Sequence, residues 1–437
     1  MAPYLSCFSP TCGSQYGLSE IVYSCGGCGS LLEVVNSFDD ADPRQLKSLW
    51  QHRRTSLAPL DVSGVWRFRE MLPFVTDTAR IVTLPEGNTP LFDAPRAAQY
   101  AGLAGLQFKH QGYNPTASFK DNGMTAGVTQ AAILGMRRVA CVSTGNTSAS
   151  LAAYAAASGM QAVIFLPAGN IAYGKLAQAL EYGALTIQVE ANFDQILGLV
   201  LELAAELGIY LLNSVNPFRI EGQKSIVIEM LEQRGWRVPD WIVLPGGNLG
   251  NISALGKGLR ELHAAGLIDA LPRVAVVQAA GSAPFERLFR EGGVLQAVRK
   301  PETLATAIRI GDPVSWRKAE SEVKELSGVV ESVTEQEIAD AKAVIGRCGI
   351  GSEPASAATL AGIRKLVRAG TIEPDADVTA ILTGHLLKDP DYVYRYHSGQ
   401  LKTPSDEPIL STFGNAPVTL PNDRAEIEEL LLRSADR

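Results

Sequence analysis

The chain is poor in the features that mark several large protein classes. No apolar run approaches the ~20 residues that span a bilayer. The first residues, Met1-Ala2-Pro3-Tyr4-Leu5-Ser6-Cys7, lack both a basic start and an apolar core, so they do not read as a secretory signal. Basic residues are outnumbered: 39 Lys and Arg face 46 Asp and Glu, a net charge of -7 that gives no general attraction to a phosphate backbone. Six cysteines in 437 residues are too few for a disulfide scaffold. Collagen, coiled coil, disordered tail and membrane protein are excluded on these grounds. With 46% hydrophobic and 19% charged residues, the chain has the balance of a soluble, cytoplasmic protein of roughly two to four domains.

The cysteines that are present are unevenly placed. Cys7, Cys12, Cys25 and Cys28 crowd the first thirty residues, whereas Cys141 and Cys348 stand alone. Two short cysteine turns facing each other supply the four soft ligands of a tetrahedral zinc site. Gly26, Gly27 and Gly29 loosen the second turn. The runs Ile21-Val22-Tyr23 and Leu31 to Val35 read as flanking strands, so residues 1–36 are expected to form a zinc-ribbon-like segment. A filled thiolate shell leaves no place for water, so such zinc is structural. Four free or partly oxidised cysteines in a loop are the alternative. The segment holds no Lys or Arg between Cys7 and Cys28, which argues against nucleic-acid binding there.

After a lead-in from Asn36 to about Pro85, short apolar runs alternate with longer helical ones. Strands are read at Val139–Ser143, Gln161–Leu166, Leu185–Val189, Ile209–Leu212, Trp241–Leu244, Val274–Gln278 and Val378–Leu382. Helices are read at Ala149–Ala157, Gly174–Tyr182, Phe193–Glu206, Gly222–Gln233, Gly250–His263, Glu335–Gly346 and Ala355–Ala369. This alternation predicts an α/β body of parallel strands joined by crossover helices.

In such sheets ligands sit beyond the carboxyl ends of the strands. Four loops there draw attention. In Asn114-Pro115-Thr116-Ala117-Ser118-Phe119-Lys120-Asp121, a lysine stands at a helix start, where the dipole disfavours a cation. It is either a solvated surface lysine or one whose lowered pKa suits Schiff-base chemistry. The loop Gly246-Gly247-Asn248-Leu249-Gly250-Asn251 is a tight turn or a phosphate cradle, with backbone N–H groups at a helix N-terminus. Ser143-Thr144-Gly145-Asn146-Thr147-Ser148 caps a helix or holds a carboxylate. Thr383, followed by His385, ends the last strand; ordinary β propensity explains a threonine there equally well. Together an amine, an anion cradle and neutral donors are what pyridoxal 5'-phosphate requires of a protein.

Residues 114–121 resemble the lysine signature of fold-type II pyridoxal phosphate enzymes, and within them the threonine synthase family. Glu86-Gly87-Asn88-Thr89-Pro90-Leu91, the 143–150 loop, Asn213-Ser214-Val215-Asn216-Pro217-Phe218-Arg219 and the glycine loop share that resemblance, which covers about residues 80 to 390. It implies two α/β domains, a large one from 37–110 with 211–437 and a small one from 111–210, and a likeness to homodimers. It implies Lys120 as the residue that carries the cofactor as an internal aldimine and then shuttles protons. Asn146 would meet the cofactor ring oxygen, Gly246, Gly247, Asn248, Gly250 and Asn251 its phosphate, and Thr383 its pyridine nitrogen. Ser143, Thr144 and Thr147 would surround the substrate carboxylate, and Asn213, Ser214 and Arg219 the substrate phosphate, a task suited to a guanidinium fork.

The implied reaction converts O-phospho-L-homoserine and water into L-threonine and phosphate. A cysteate synthase-like or threonine dehydratase-like lyase is the nearest alternative, and Arg219 separates them because a dehydratase has no departing phosphate to hold. Two departures stand out: Ala117 where the family favours glycine, and Asn122 where arginine is frequent.

Overall fold

The computed structural model describes residues 2–39, 41–168, 173–191 and 193–434. Its sheets follow from runs of residues buried on both faces. Trp241–Pro245 and Val378–Leu382 are buried at every position, as expected of parallel strands covered on both sides. They form the centre of a six-stranded sheet ordered β12-β11-β10-β13-β5-β4. Its strands are β4 (Leu91–Asp93), β5 (Leu106–His110), β10 (Trp241–Pro245), β11 (Arg273–Ala279), β12 (Val329–Val333) and β13 (Val378–Leu382). All pairings are parallel except β4 with β5. A four-stranded parallel sheet, β8-β7-β6-β9, is built from β6 (Arg138–Val142), β7 (Gln161–Pro167), β8 (Leu185–Val189) and β9 (Ile209–Leu211).

Strand alternation divides the core by faces. Ile242 and Leu244 of β10 pack with Leu255 and Leu259 of the helix Gly250–Ala264, while Trp241 and Val243 face Leu360 and Ile363 of the helix Pro354–Arg368. In the smaller sheet, Val139 and Cys141 face the helix Asn146–Ser158, and Ala140 and Val142 face Ile196 and Val200. The α/β alternation is therefore present, with the two sheets the resemblance implies. Strand β9 carries the smaller sheet to Leu211, one residue beyond the limit at 210.

Two readings change. Ile21-Val22-Tyr23 is not a strand: Tyr23 turns its hydroxyl toward the end of β9, where it accepts from the Leu211 N–H at 2.7 Å. The cysteine segment is instead a three-stranded antiparallel sheet of β1 (Tyr4–Cys7), β2 (Gln15–Tyr16) and β3 (Leu32–Val35), ordered β2-β1-β3. The helix expected at 222–233 begins earlier, at Pro217, and divides around Lys224 into Pro217–Gln223 and Ser225–Gln233. Asn216 caps its start by accepting from the Phe218 N–H, and Pro217 stands in the first turn, where no donor is lost.

The amino-terminal sheet is joined to the body by buried polar contacts. Lys318 donates to the Leu32 carbonyl at 2.6 Å, and Asn36 donates to Glu221 at 2.8 Å and Glu261 at 3.0 Å. Leu5, Leu32 and Val34 complete the same core as Trp50, Trp66 and Phe68 of the lead-in. Among the described residues, no helix is long and apolar enough to cross a membrane.

Candidate active site

Four loops meet at the carboxyl ends of β5, β6, β10 and β13. Lys120 opens the helix Lys120–Ile133, and the residues before it are stitched to the end of β13. Phe119 donates its N–H to the Thr383 carbonyl at 2.9 Å, Ser118 pairs with Gly384, and the His385 N–H reaches the Ala117 carbonyl at 3.1 Å. Buried Asp121 fixes the turn from inside. It accepts from the Thr116 N–H and hydroxyl and from Ser150, while burial pushes its carboxyl up to about 6. Ala117 adopts φ +62°, a left-handed conformation that explains why the family favours glycine there.

Among the described residues, no group hydrogen-bonds or pairs with the Lys120 amine, which lies 4.2 Å from the Phe119 ring centroid. Burial, then the positive charge of Arg219, pull its pKa from 10.5 to about 7, against an opposing pull from Glu353. At neutral pH much of this amine is therefore unprotonated, the form that attacks an aldehyde.

Arg219 comes beside it through a tight helix crossing. A Cβ on Gly222 would stand 2.0 Å from the Asn122 carbonyl oxygen, so only glycine lets the Arg219 helix lie against the Lys120 helix. Arg219 is 2% exposed; among the described residues its guanidinium donates only to the Leu212 carbonyl, at 3.1 Å, and Nε has no partner. Among the described residues no carboxylate pairs with it, and burial holds it down to about 10. A buried, unpaired cation is costly in itself, and an anion brought by a ligand relieves it.

The glycine loop offers a second anion site. Gly246 is anchored through its N–H to the Val277 carbonyl at 2.8 Å, and Leu249, at φ +64°, turns the chain into the helix Gly250–Ala264. Among the described residues, none accepts from the N–H groups of Gly247, Asn248, Leu249, Gly250 or Asn251. Such a row of free donors at a helix start suits a phosphate. Asn251 also keeps a buried Nδ2 without a partner. Asn248 holds the loop in place, accepting from the Val314 N–H at 3.0 Å and donating to Ser214 at 3.2 Å.

Asn146 begins the helix Asn146–Ser158, and its Nδ2 donates to Glu353 at 3.0 Å while its buried Oδ1 lacks a partner. Glu353 lies at the start of the helix Pro354–Arg368 and also accepts from the Thr383 hydroxyl at 3.3 Å. Ser356 contacts the same hydroxyl at 2.9 Å and accepts from the N–H groups of Thr383 and Gly384. Ser143 accepts from the Gly145 N–H, whereas the hydroxyls of Thr144 and Thr147 hydrogen-bond to none of the described residues. The donors present among the described residues therefore fit pyridoxal phosphate: the Lys120 amine, a row of free N–H groups and the Asn251 Nδ2.

Asn213 and Ser214 are held by the protein's own groups. Asn213 spans the sheet edge, accepting from the Val142 N–H at 2.9 Å and donating to the Val142 carbonyl at 3.0 Å. Its carboxamide thereby completes β6. Ser214 likewise serves the glycine loop. Glu353 and Ser356 were missed, because neither belongs to a glycine-rich or lysine-bearing loop. The one signal in the sequence is Gly351-Ser352-Glu353-Pro354, a polar residue and a proline entering a helix.

Residues 82–384 match the family model described as pyridoxal-phosphate dependent enzyme. The chain belongs to that family. Threonine synthase of Methanocaldococcus jannaschii is 46% identical over 91% of this chain and 96% of its own. That of Methanosarcina acetivorans is also 46% identical, over 89% of this chain and 93% of its own. Among solved structures, threonine synthase from Escherichia coli superposes with a TM-score of 0.70 over 98% of this chain and 99% of that one, at 17% identity. This family member thus shares with the threonine synthases both sequence, across nearly its whole length, and fold.

The four amino-terminal cysteines also come together. All four sulfurs lie within 4.8 Å of one another, with Cys7 and Cys28 at 3.4 Å and Cys12 and Cys25 at 3.5 Å. Sulfurs bound at ~2.3 Å around one tetrahedral zinc stand ~3.8 Å apart, so the cluster has the dimensions of that site. None of the cysteines is disulfide-bonded.

Proposed function

We propose that the chain is a threonine synthase that converts O-phospho-L-homoserine and water into L-threonine and phosphate. The observation that carries this reading is the pair of separate anion sites flanking Lys120: the free N–H row at 247–251 and the buried, unpaired Arg219. A dehydratase acting on free threonine needs only the first.

In this reading Lys120, Asn146, the glycine loop and Thr383 hold pyridoxal 5'-phosphate. When bound, the cofactor supplies the electron sink that makes a substrate Cα–H acidic. Lys120 Nζ takes the Cα proton, then a Cβ proton, and its low pKa keeps it a competent base near neutrality. Arg219 Nη and Nε hold the phosphate that departs from Cγ and balance its charge. Thr144 and Thr147 hydroxyls and the free N–H groups at the start of the helix Asn146–Ser158 orient the substrate carboxylate. Lys120 Nζ returns one proton to Cγ, the hydroxyl of water adds at Cβ with its proton passing to the released phosphate, and Lys120 Nζ returns the second proton to Cα. Thr383 presents a hydroxyl, not a carboxylate, to the cofactor's pyridine nitrogen, which limits how far that nitrogen is protonated. Glu353 holds Asn146 and Thr383 in register with each other.

The same reading includes one structural zinc bound by Cys7, Cys12, Cys25 and Cys28, the division into 1–36, 37–110 with 211–437, and 111–210, a homodimeric state and a cytoplasmic location without nucleic-acid partners. Phosphate release from O-phospho-L-homoserine is the test, run beside phosphoserine with sulfite and beside threonine alone. Turnover of phosphoserine with sulfite, or of threonine to an oxoacid, in preference to phosphohomoserine would replace this assignment.

A further inference from the structure

Beside Ser352 lies a further cavity, partly polar, that the reaction does not use. It has a volume of about 80 Å³, well above the ~10–15 Å³ that one water needs. Lys342, Ser352, Tyr392 and His397 line it together with the apolar Ala343 and Leu386.

Its polar wall is unsatisfied. Ser352 is 1% exposed and Tyr392 7%, yet among the described residues neither Ser352 Oγ nor Tyr392 Oη has a hydrogen-bond partner, and His397 Nδ1 lacks one too. Among the described residues, none hydrogen-bonds to the Lys342 amine, which stands 5.8 Å from the Tyr392 ring centroid. Buried polar atoms left without partners each cost free energy, so three of them around one cavity, beside the Lys342 amine, argue for an occupant. Lys342, Ser352 and Tyr392 all donate, which selects an acceptor-rich ligand. Burial pulls the Lys342 pKa down to about 8 while Asp389 opposes it, so near neutrality the amine still carries one positive charge, which a single carboxylate balances. The apolar part suits a short alkyl group.

We propose that this cavity binds a small aliphatic carboxylate, its oxygens on Lys342, Ser352 and Tyr392 and its alkyl end against Ala343 and Leu386. The site is distinct from the substrate-carboxylate donors at 143–148, none of which lines it.

Calorimetric titration of the holoenzyme with propionate tests this, with saturating L-threonine present and inorganic phosphate titrated in parallel. The expected result is one saturable propionate site per chain, weakened roughly tenfold or more in Lys342→Met and Ser352→Ala by loss of a charged or buried hydrogen bond. Tyr392→Phe keeps the ring in place and is expected to weaken binding while leaving the melting temperature near that of the parent. Propionate affinity unchanged in all three folded variants overturns the proposal, as does tighter binding of phosphate than of propionate in the same cavity.

Discussion

Replacing Arg219 with methionine tests the second anion site, because activity and stability are expected to move in opposite directions. The guanidinium is buried, donates one hydrogen bond and pairs with no carboxylate among the described residues. Its removal deletes a desolvated charge and fills similar space with an apolar side chain. By analogy with buried ions replaced by hydrophobic residues, the ligand-free protein should gain ~1–3 kcal/mol, less ~1 kcal/mol for the Leu212 carbonyl left behind. Charge-assisted hydrogen bonds to the substrate phosphate are each worth ~1.5–3 kcal/mol, so losing one should raise KM for O-phospho-L-homoserine ~10–150-fold. Lys120 should also titrate higher, since Arg219 is the second cause of its lowered pKa. Steady-state kinetics, cofactor titration and thermal melting report the three effects. A variant with normal KM but weak cofactor binding would show that Arg219 serves the cofactor phosphate. A variant that melts well below the parent would show that the charge is compensated in a way the structure does not contain.

Four further outcomes follow from the same geometry. Capture of added cofactor by the apoenzyme should accelerate as pH rises through about 7, where Lys120 loses its proton, not near its ordinary 10.5; stopped-flow absorbance across pH 6 to 11 checks this. Ala117→Gly should relieve ~1–2 kcal/mol of left-handed strain and return ~0.5–1 kcal/mol as chain entropy, for a small net rise in denaturant midpoint. Gly222→Val should force the Lys120 and Arg219 helices apart at ~1–3 kcal/mol or more and cost activity beyond the lost stability, measured by urea unfolding beside kcat/KM. Cys25→Ser should lower zinc content from about one atom per chain and loosen the first 36 residues, seen by metal analysis and limited proteolysis.

The parts of the site legible in the sequence were those whose backbone does unusual work. Lys120 was marked by its place at a helix start, and the 246–251 loop by glycines entering a helix; both sit where expected. Side chains that complete the site from another element carried no such mark. Glu353 is one carboxylate among many until the fold turns its helix toward Asn146 and Thr383. Asn213 stands in a loop at the ligand end of its sheet, but β9 stops short of Val142, and the Asn213 carboxamide takes up the Val142 N–H and carbonyl on that side. Ile21 to Tyr23 have the β-branched and aromatic character of a strand, yet packing draws Tyr23 onto β9 instead. Strands β4, β5 and β12 escaped notice because their burial is partial or their runs include polar residues such as Gln107 and Glu331.

The most direct test is covalent. The purified protein, supplied with pyridoxal phosphate and reduced with borohydride, should carry one stable label per chain, and peptide mass spectrometry should locate it on Lys120. A label on another lysine, or none in a folded preparation saturated with the vitamin, would contradict the account.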